Sequence, residues 1–447
     1  MTVESGRLAP EEQRALVRAT VYRILGTPVV AVLGLVNTAV VVRETGEAVY
    51  GLVSLVATVT LLFPFADLGI GAVVLSASAR LSGPNRDPAA VDVIRRAYRV
   101  LFGVAAGLGA VACVVMAMDG WGALVGMTTG PDDRWAITAA AVLFALTIPA
   151  GLGLRILIGM DRNHWATLVM MSNAAFTLGV TLTLSVFGVH GIWYALAPLV
   201  GVLIGHVLGT TAALRLSGLG SSAFARVRGT HTRLLEGSLW LFLVGVGLPV
   251  GLQTGRILLS HLSTAEELSR YALVAQMYGA CWAVLSTAGM AYWPVFVKRR
   301  GARQETTRMW WRVTALFAVA ATVAAAGLTT LGPWTASILS GGRIVVTTGL
   351  ALSFGILLLA QALHLPTSVL LTRPREARWQ ACCVAGMAAI SLGVGAVLAG
   401  PWGAVGVVCA AALGVGAAQV VPDLMWVPVL VHRRPAGSEG DGSRVSG

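Results

Sequence analysis

Twelve apolar spans, with cationic side chains gathered on alternate sides of them, constrain this chain more than any other feature. Runs of roughly 20 apolar residues, enough to cross a hydrocarbon core about 30 Å thick at 1.5 Å per residue, begin near Thr20, Tyr50, Ala97, Trp135, Trp165 and Gly191. Six more begin near Ser238, Arg270, Val313, Ile344, Trp379 and Gly403. With a cytoplasmic N-terminus, the inner connections and tails collect 27 of the 32 basic residues, leaving Arg43, Arg134, Arg256, Arg270 and Arg343 for the outer side. The positive-inside rule requires such a bias, and one miscounted span would scramble it. The sequence predicts a multi-pass, all-α protein of a bacterial cytoplasmic membrane with both termini in the cytoplasm.

Composition agrees with lipid as the main solvent. Charged residues make up 12% of the chain, against about 25% in soluble domains. The net charge of +12 sits in short inner loops, where it sets topology and attracts anionic lipid head groups; no nucleic-acid partner is expected. Cys113, Cys281, Cys382, Cys383 and Cys409 all fall in apolar spans without metal-ligand spacing and read as buried small hydrophobes. Tryptophan favours membrane interfaces. Trp121, Trp135, Trp193, Trp334 and Trp402 fall at outer span ends, and Trp165, Trp240, Trp293, Trp310, Trp311 and Trp379 at inner ones.

The first half of the chain recurs in the second. Tyr50-Gly51-Leu52-Val53 corresponds to Tyr271-Ala272-Leu273-Val274, Pro149 to Pro366, Trp165 to Trp379, and the turn Gly188-Val189-His190-Gly191 to Gly400-Pro401-Trp402-Gly403. Six spans per copy is an even number, so the copies are parallel, related by an axis along the membrane normal. The expected organisation is a cytoplasmic segment 1–19, a six-helix bundle 20–214, a basic cytoplasmic linker 215–237, a second six-helix bundle 238–431 and a disordered cytoplasmic tail 432–447. Two such bundles enclose a central cleft. Short loops leave no room for an extramembrane catalytic or nucleotide-binding domain; no Walker A sequence, catalytic set or cofactor motif is present.

Charged and polar residues at membrane depth are the candidates for chemistry, because their insertion is costly unless they face water or a partner. Arg256, in Gly251-Leu252-Gln253-Thr254-Gly255-Arg256, is the most exceptional cation, either a cavity residue or one that snorkels to the outer head groups. Arg23 and Arg155 lie nearer the inner ends of the first and fourth spans. Asn37, Gln253, Gln276 and Gln361 supply uncharged hydrogen-bonding groups. Asp67, in Pro64-Phe65-Ala66-Asp67-Leu68-Gly69, is either a cavity carboxylate that binds a proton or pairs with an Arg during gating, or a structural cap. Asp423 is a weaker acidic candidate. His206 and His364 are intramembrane but lack the spacing of a metal site.

The chain resembles the polysaccharide and oligosaccharide flippases, the O-antigen and capsule-repeat exporters of the multidrug/oligosaccharidyl-lipid/polysaccharide (MOP) superfamily. The resemblance spans roughly Arg18 to His432 and rests on diffuse signals. These are Tyr50-Gly51 opening the second span, Asp67-Leu68-Gly69 within it, Trp293-Pro294 ending the eighth, the stretch Gln361 to Leu371, and the Gly-rich turns before the sixth and twelfth spans. It implies a fold like that of the multidrug MATE exporters: twelve helices in two parallel bundles around a cleft. It also implies a flippase carrying a polyprenyl-diphosphate-linked oligosaccharide between leaflets for surface polysaccharide or lipopolysaccharide biosynthesis, with polysaccharide polymerase machinery as a further partner. Arg23, Arg155, Arg256, Asn37, Gln253 and Gln276 are then expected to bind substrate and Asp67 to gate or carry a proton. Unlike the drug exporters, the first span carries no acid, Asn37 being its polar residue at depth. The competing readings are a cation-coupled small-molecule or drug antiporter of the same fold and, further off, a membrane glycan polymerase or polyprenyl-phosphate transferase.

Overall fold

The computed structural model describes residues 10–58, 69–81, 87–225, 247, 250–298, 303–371 and 374–432. Among them there is no strand. The first half contains α1 (Pro10–Ala57), α2 (Ile70–Ser78), α3 (Pro88–Ala117), α4 (Trp121–Val125), α5 (Pro131–Ala150), α6 (Leu152–Gly159), α7 (Asn163–Val186) and α8 (Leu196–Leu216). The second half contains α9 (Gly255–Leu262), α10 (Ala265–Met290), α11 (Trp293–Lys298), α12 (Arg303–Ser340), α13 (Thr348–Leu370), α14 (Pro374–Val415) and α15 (Val421–His432).

Eight continuous stretches among the described residues are long and apolar enough to span a bilayer. The longest, Arg378–Val431, has 54 residues, roughly 80 Å at 1.5 Å per residue, and must cross twice. It turns at Gly403, which adopts φ 54°. The chain turns likewise at Gly46 inside α1, with φ 78°. Both glycines occupy the left-handed region, where a side chain is strained. Helix α10 is long enough to cross but is not among the eight apolar stretches; Gln276 and Tyr278 on it are turned inward, as described below. The set is consistent with twelve crossings in two bundles.

Helix ends are fixed by capping groups that satisfy the first free N–H groups. Asp87 accepts from Ala89 N at 2.9 Å ahead of Pro88, Thr264 from Glu267 N at 3.3 Å and Thr347 from Leu350 N at 3.2 Å. Three apolar cores result. One lies in the first half around Ile94, Tyr98 and Ile156, one in the second around Trp310, Phe317 and Leu358, and one is shared, joining Val41, Tyr50 and Val53 to Tyr271, Leu273 and Phe354. Outside them, large apolar side chains such as Val111, Val319, Val323 and Val397 are exposed, the surface expected of a protein solvated by lipid. Cys113 and Cys382 face outward in the same way, whereas Cys383 is buried; the reading of every cysteine as buried therefore fails for these two.

Trp310 corrects the interfacial assignment. It is fully buried, and its indole N–H donates to Thr367 Oγ1 at 3.1 Å, while Trp311 is 46% exposed. Adjacent helical positions point about 100° apart, so the pair splits between core and lipid. Thr367→Val will leave that N–H unsatisfied and cost about 1–3 kcal/mol, read as a lowered thermal unfolding temperature in detergent.

Candidate functional site

The site is built where α1 meets α10. These helices pack along each other across the boundary between the halves, with α7 and the turn Gly191–Ala195 against α1 and α9 against α10. The junction encloses a cavity of about 260 Å³ lined by Asn37, Thr38, Tyr50, Ser54, Arg256 and Gln276, among others. A second cavity of about 550 Å³ continues from it, sharing Gly34, Ala174 and Gln276, and runs between α1, α7 and α10 past Val30, Met170, Met171 and Met290. The first is polar for its depth; the second is lined mainly by apolar side chains.

Arg256 is the charge of this cavity. It is 9% exposed, so it does not snorkel. Its Nε donates to Ser54 Oγ at 3.1 Å, its Nη1 donates to Gln253 Oε1 at 2.6 Å, and its guanidinium carbon stands 5.5 Å from the centroid of the Tyr271 ring, within cation–π range. Guanidinium carries five N–H donors, and these two hydrogen bonds engage two of its three nitrogens. Among the described residues no carboxylate lies within ion-pair distance of it. Its position follows from Gly255, which lets the backbone approach Tyr271 and Val407 so closely that a Cβ there would stand 3.0 Å from the Tyr271 hydroxyl and 2.7 Å from Val407. Tyr50 faces the same charge and lies in hydrogen-bond reach of Thr38. Asn37 lines the cavity with its Oδ1 buried and unbonded among the described residues.

The structure thus brings together four of the predicted residues, Arg256, Gln253, Asn37 and Gln276. Arg155, on α6, does not line the cavity. Arg23 lies on α1, with its side chain outside the described portion, and Asp67 lies outside the described residues. Sequence reasoning noted Tyr50 as a marker of the repeat and of the family resemblance and Tyr271 as a marker of the repeat, and missed that both face Arg256. Ser54 and Thr38 carried no signal, since hydroxyls on apolar helices are common.

At one end of the bundle the halves are sewn together by the arginines that the charge count left on one side. Arg43 Nη2 donates to Ile338 O at 2.9 Å, and Arg343 donates to Arg43 O. Arg270 lies 3.6 Å from Glu47 and 2.8 Å from Glu267, and Glu267 accepts from Ala404 N at 2.8 Å. Ser269 Oγ accepts from Gly51 N at 2.8 Å and donates to Glu47 O. Arg134 differs, pairing with Asp119 inside the first half at 2.6 Å. Toward the other end, Thr27 and Thr287 meet at 3.3 Å beside the apolar cavity.

Two helical bundles enclose a charged cavity at membrane depth, and the fold is the one seen in transporters of the MOP superfamily. An inward-facing MATE multidrug resistance transporter superposes with TM-score 0.69, covering 93% of this chain and 100% of its own at 12% identity. A MOP superfamily transporter from Pyrococcus furiosus, described as having a binding pocket of reverse polarity, gives 0.56 over 94% and 96% at 12% identity. The lipid II flippase MurJ in an inward closed conformation gives 0.57 over 91% and 87% at 13% identity. At these identities the likeness is one of fold. No curated protein sequence matches the chain. A family model described as polysaccharide biosynthesis protein matches residues 16–300, and the chain belongs to that family.

Proposed function

We propose that this protein is a membrane transporter, a flippase for a polyprenyl-diphosphate-linked oligosaccharide, moved from the inner to the outer leaflet of the cytoplasmic membrane during synthesis of a surface polysaccharide such as an O-antigen or capsule. The observation that carries the reading is Arg256, a buried cation without a described counter-ion, held at the junction of the halves beside unpaired hydrogen-bonding groups. A buried unpaired charge is costly; an anionic ligand removes that cost. Arginine suits a diphosphate because its planar fork donates two parallel hydrogen bonds and keeps its charge. Sugar hydroxyls, each costing on the order of 2–7 kcal/mol to desolvate unpaired, find partners in Asn37, Thr38, Tyr50 and Gln276. The apolar slot past Met170, Met171 and Met290 suits the polyprenyl tail. Membership of the polysaccharide biosynthesis family and the likeness to a lipid II flippase support the same substrate class.

The charge balance of the sequence orients the molecule with its termini in the cytoplasm, so that the Arg43 end faces outward and this state is sealed on that side. Arg23 and Asp67 belong to the proposal as an inner contact for the diphosphate and a gating acid; Arg155 stands apart from the cavity. A cationic drug would meet Arg256 as a like charge, which weighs against the antiporter reading. Deleting the gene is expected to make an undecaprenyl-type lipid-linked glycan accumulate on the inner leaflet while surface polysaccharide disappears. Normal surface glycan in the deletion strain, or export of a water-soluble cation by the purified protein, would displace the reading.

A further inference from the structure

A third cavity, of about 410 Å³, lies between the halves toward the Arg43 end. The first half supplies Leu55 from α1 beyond its Gly46 turn, Trp121 and Leu124 from α4 and Ile137 from α5, and the second half supplies Gln253 and Ile257. Its volume is that of a small-ligand site, roughly 300–1,000 Å³. Among the described residues it has no lining residue in common with the slot past Met170, Met171 and Met290. The polar groups that reach it are already bonded. Thr58 Oγ1 donates to Ser54 O at 2.8 Å, Thr254 Oγ1 to Val250 O at 2.5 Å and Trp121 Nε1 to Thr138 Oγ1 at 2.9 Å, while Gln253 Oε1 accepts from Arg256. A buried water needs about two to four polar partners, and a cavity that offers none stays dry and takes apolar ligands. One turn beyond Ile257, His261 Nε2 on α9 lies 3.1 Å from Ala123 O on α4, which ties the halves together where the cavity ends. Its mouth is therefore lateral, at Leu124 and Ile257, both exposed on the surface that lipid surrounds.

We propose that this cavity is a second seat for the isoprenoid tail of the substrate, filled while Arg256 holds the diphosphate. Thr58 lines both this cavity and the one that contains Arg256, and Gln253, which accepts from Arg256, lines this one. A tail is covalently tied to its diphosphate, so it must lie in a passage continuous with the Arg256 cavity; a bulk phospholipid has no such tether. Sugar hydroxyls would go unpaired in this lining, whereas an isoprenoid chain has no hydrogen-bonding group to satisfy. The Met-lined slot runs toward the Thr27–Thr287 end and this one toward the Arg43 end. An apolar passage thus adjoins the charged cavity in either direction, and the tail need not enter water while the head group crosses.

The inference rests on the flippase reading, and its test separates the two. Full-length protein carrying the photoreactive residue p-benzoylphenylalanine in place of Leu124 at this mouth, Met170 in the other slot or Val319 on the lipid-facing surface is placed in phosphatidylcholine nanodiscs that contain undecaprenyl diphosphate. After irradiation, adducts are identified by mass. The ratio of undecaprenyl to phosphatidylcholine adducts at position 124 should exceed that at 319 at least about tenfold, the enrichment given by a preference of about 1.4 kcal/mol. Arg256→Gln should return it to the level at 319 by releasing the diphosphate. Ala141→Trp, which adds bulk to the lining of this cavity, should do so by filling it. Enrichment at 170 without enrichment at 124, or enrichment at 124 that survives Ala141→Trp, would overturn this inference alone. Enrichment at neither 124 nor 170 would remove the flippase reading along with it.

Discussion

Replacing Arg256 by glutamine will abolish glycan export while protein abundance in the membrane stays normal. Glutamine can still bond Gln253 and fill much of the space, so the fold loses little, but the charge that draws a diphosphate into the cavity is gone. Each charge-assisted hydrogen bond to such an anion is worth about 1.5–3 kcal/mol, or ten- to hundredfold in affinity, and the fork makes two. Arg256→Lys keeps the charge without the fork. An ammonium can approach either Ser54 or Gln253, but it cannot hold both and still present a planar pair of donors; export should be retained in part. Surface glycan, measured at matched protein levels, gives the order wild type, Lys, Gln. Full export by Arg256→Ala would reduce the residue to packing and remove the main support for an anionic substrate.

The crossings among the described residues were legible because each needs only a run of apolar residues. The cavity was half legible for a related reason: Arg256, Gln253, Asn37 and Gln276 stand out as polar residues at depths where lipid penalises them. Tyr50 and Tyr271 carry little hydropathy signal, so their shared orientation toward Arg256 emerged with the fold. His364 Nδ1 and Asp423 Oδ2 meet at 2.7 Å, yet the residues are 59 positions apart, on different helices, with no spacing that sequence reasoning could exploit. The seal at the Arg43 end was hidden for another reason. Its partners include the backbone groups Ile338 O, Ala404 N and Gly51 N, which every sequence offers everywhere. Even so, Arg43, Arg256, Arg270 and Arg343, four of the five arginines left over by the topology, proved to be residues that bridge the halves.

That bridging predicts a second large effect, at Gly51. Its amide donates to Ser269 across the junction, and a Cβ placed there would stand 2.7 Å from Ser269 Oγ, 2.9 Å from Leu268 Cγ and 3.0 Å from the Ser269 amide nitrogen. Backbone cannot yield as a side-chain tip does, so Gly51→Val must push α1 and α10 apart at this end. The displaced contacts include the 3.6 Å approach of Glu47 to Arg270, which is partly exposed and contributes little by itself. Steric exclusion therefore dominates over the lost ion pair. A transporter that cannot reseal cannot return to load from the opposite side, so export should fall to the background level. The variant should still fold, because the cores within each half, around Ile156 and around Trp310, are untouched. Gly51→Val should show faster amide exchange in 43–51 and 264–271 than wild type, whereas Glu47→Gln should export near normally. Normal export by Gly51→Val would mean that this seal is not part of the transport cycle.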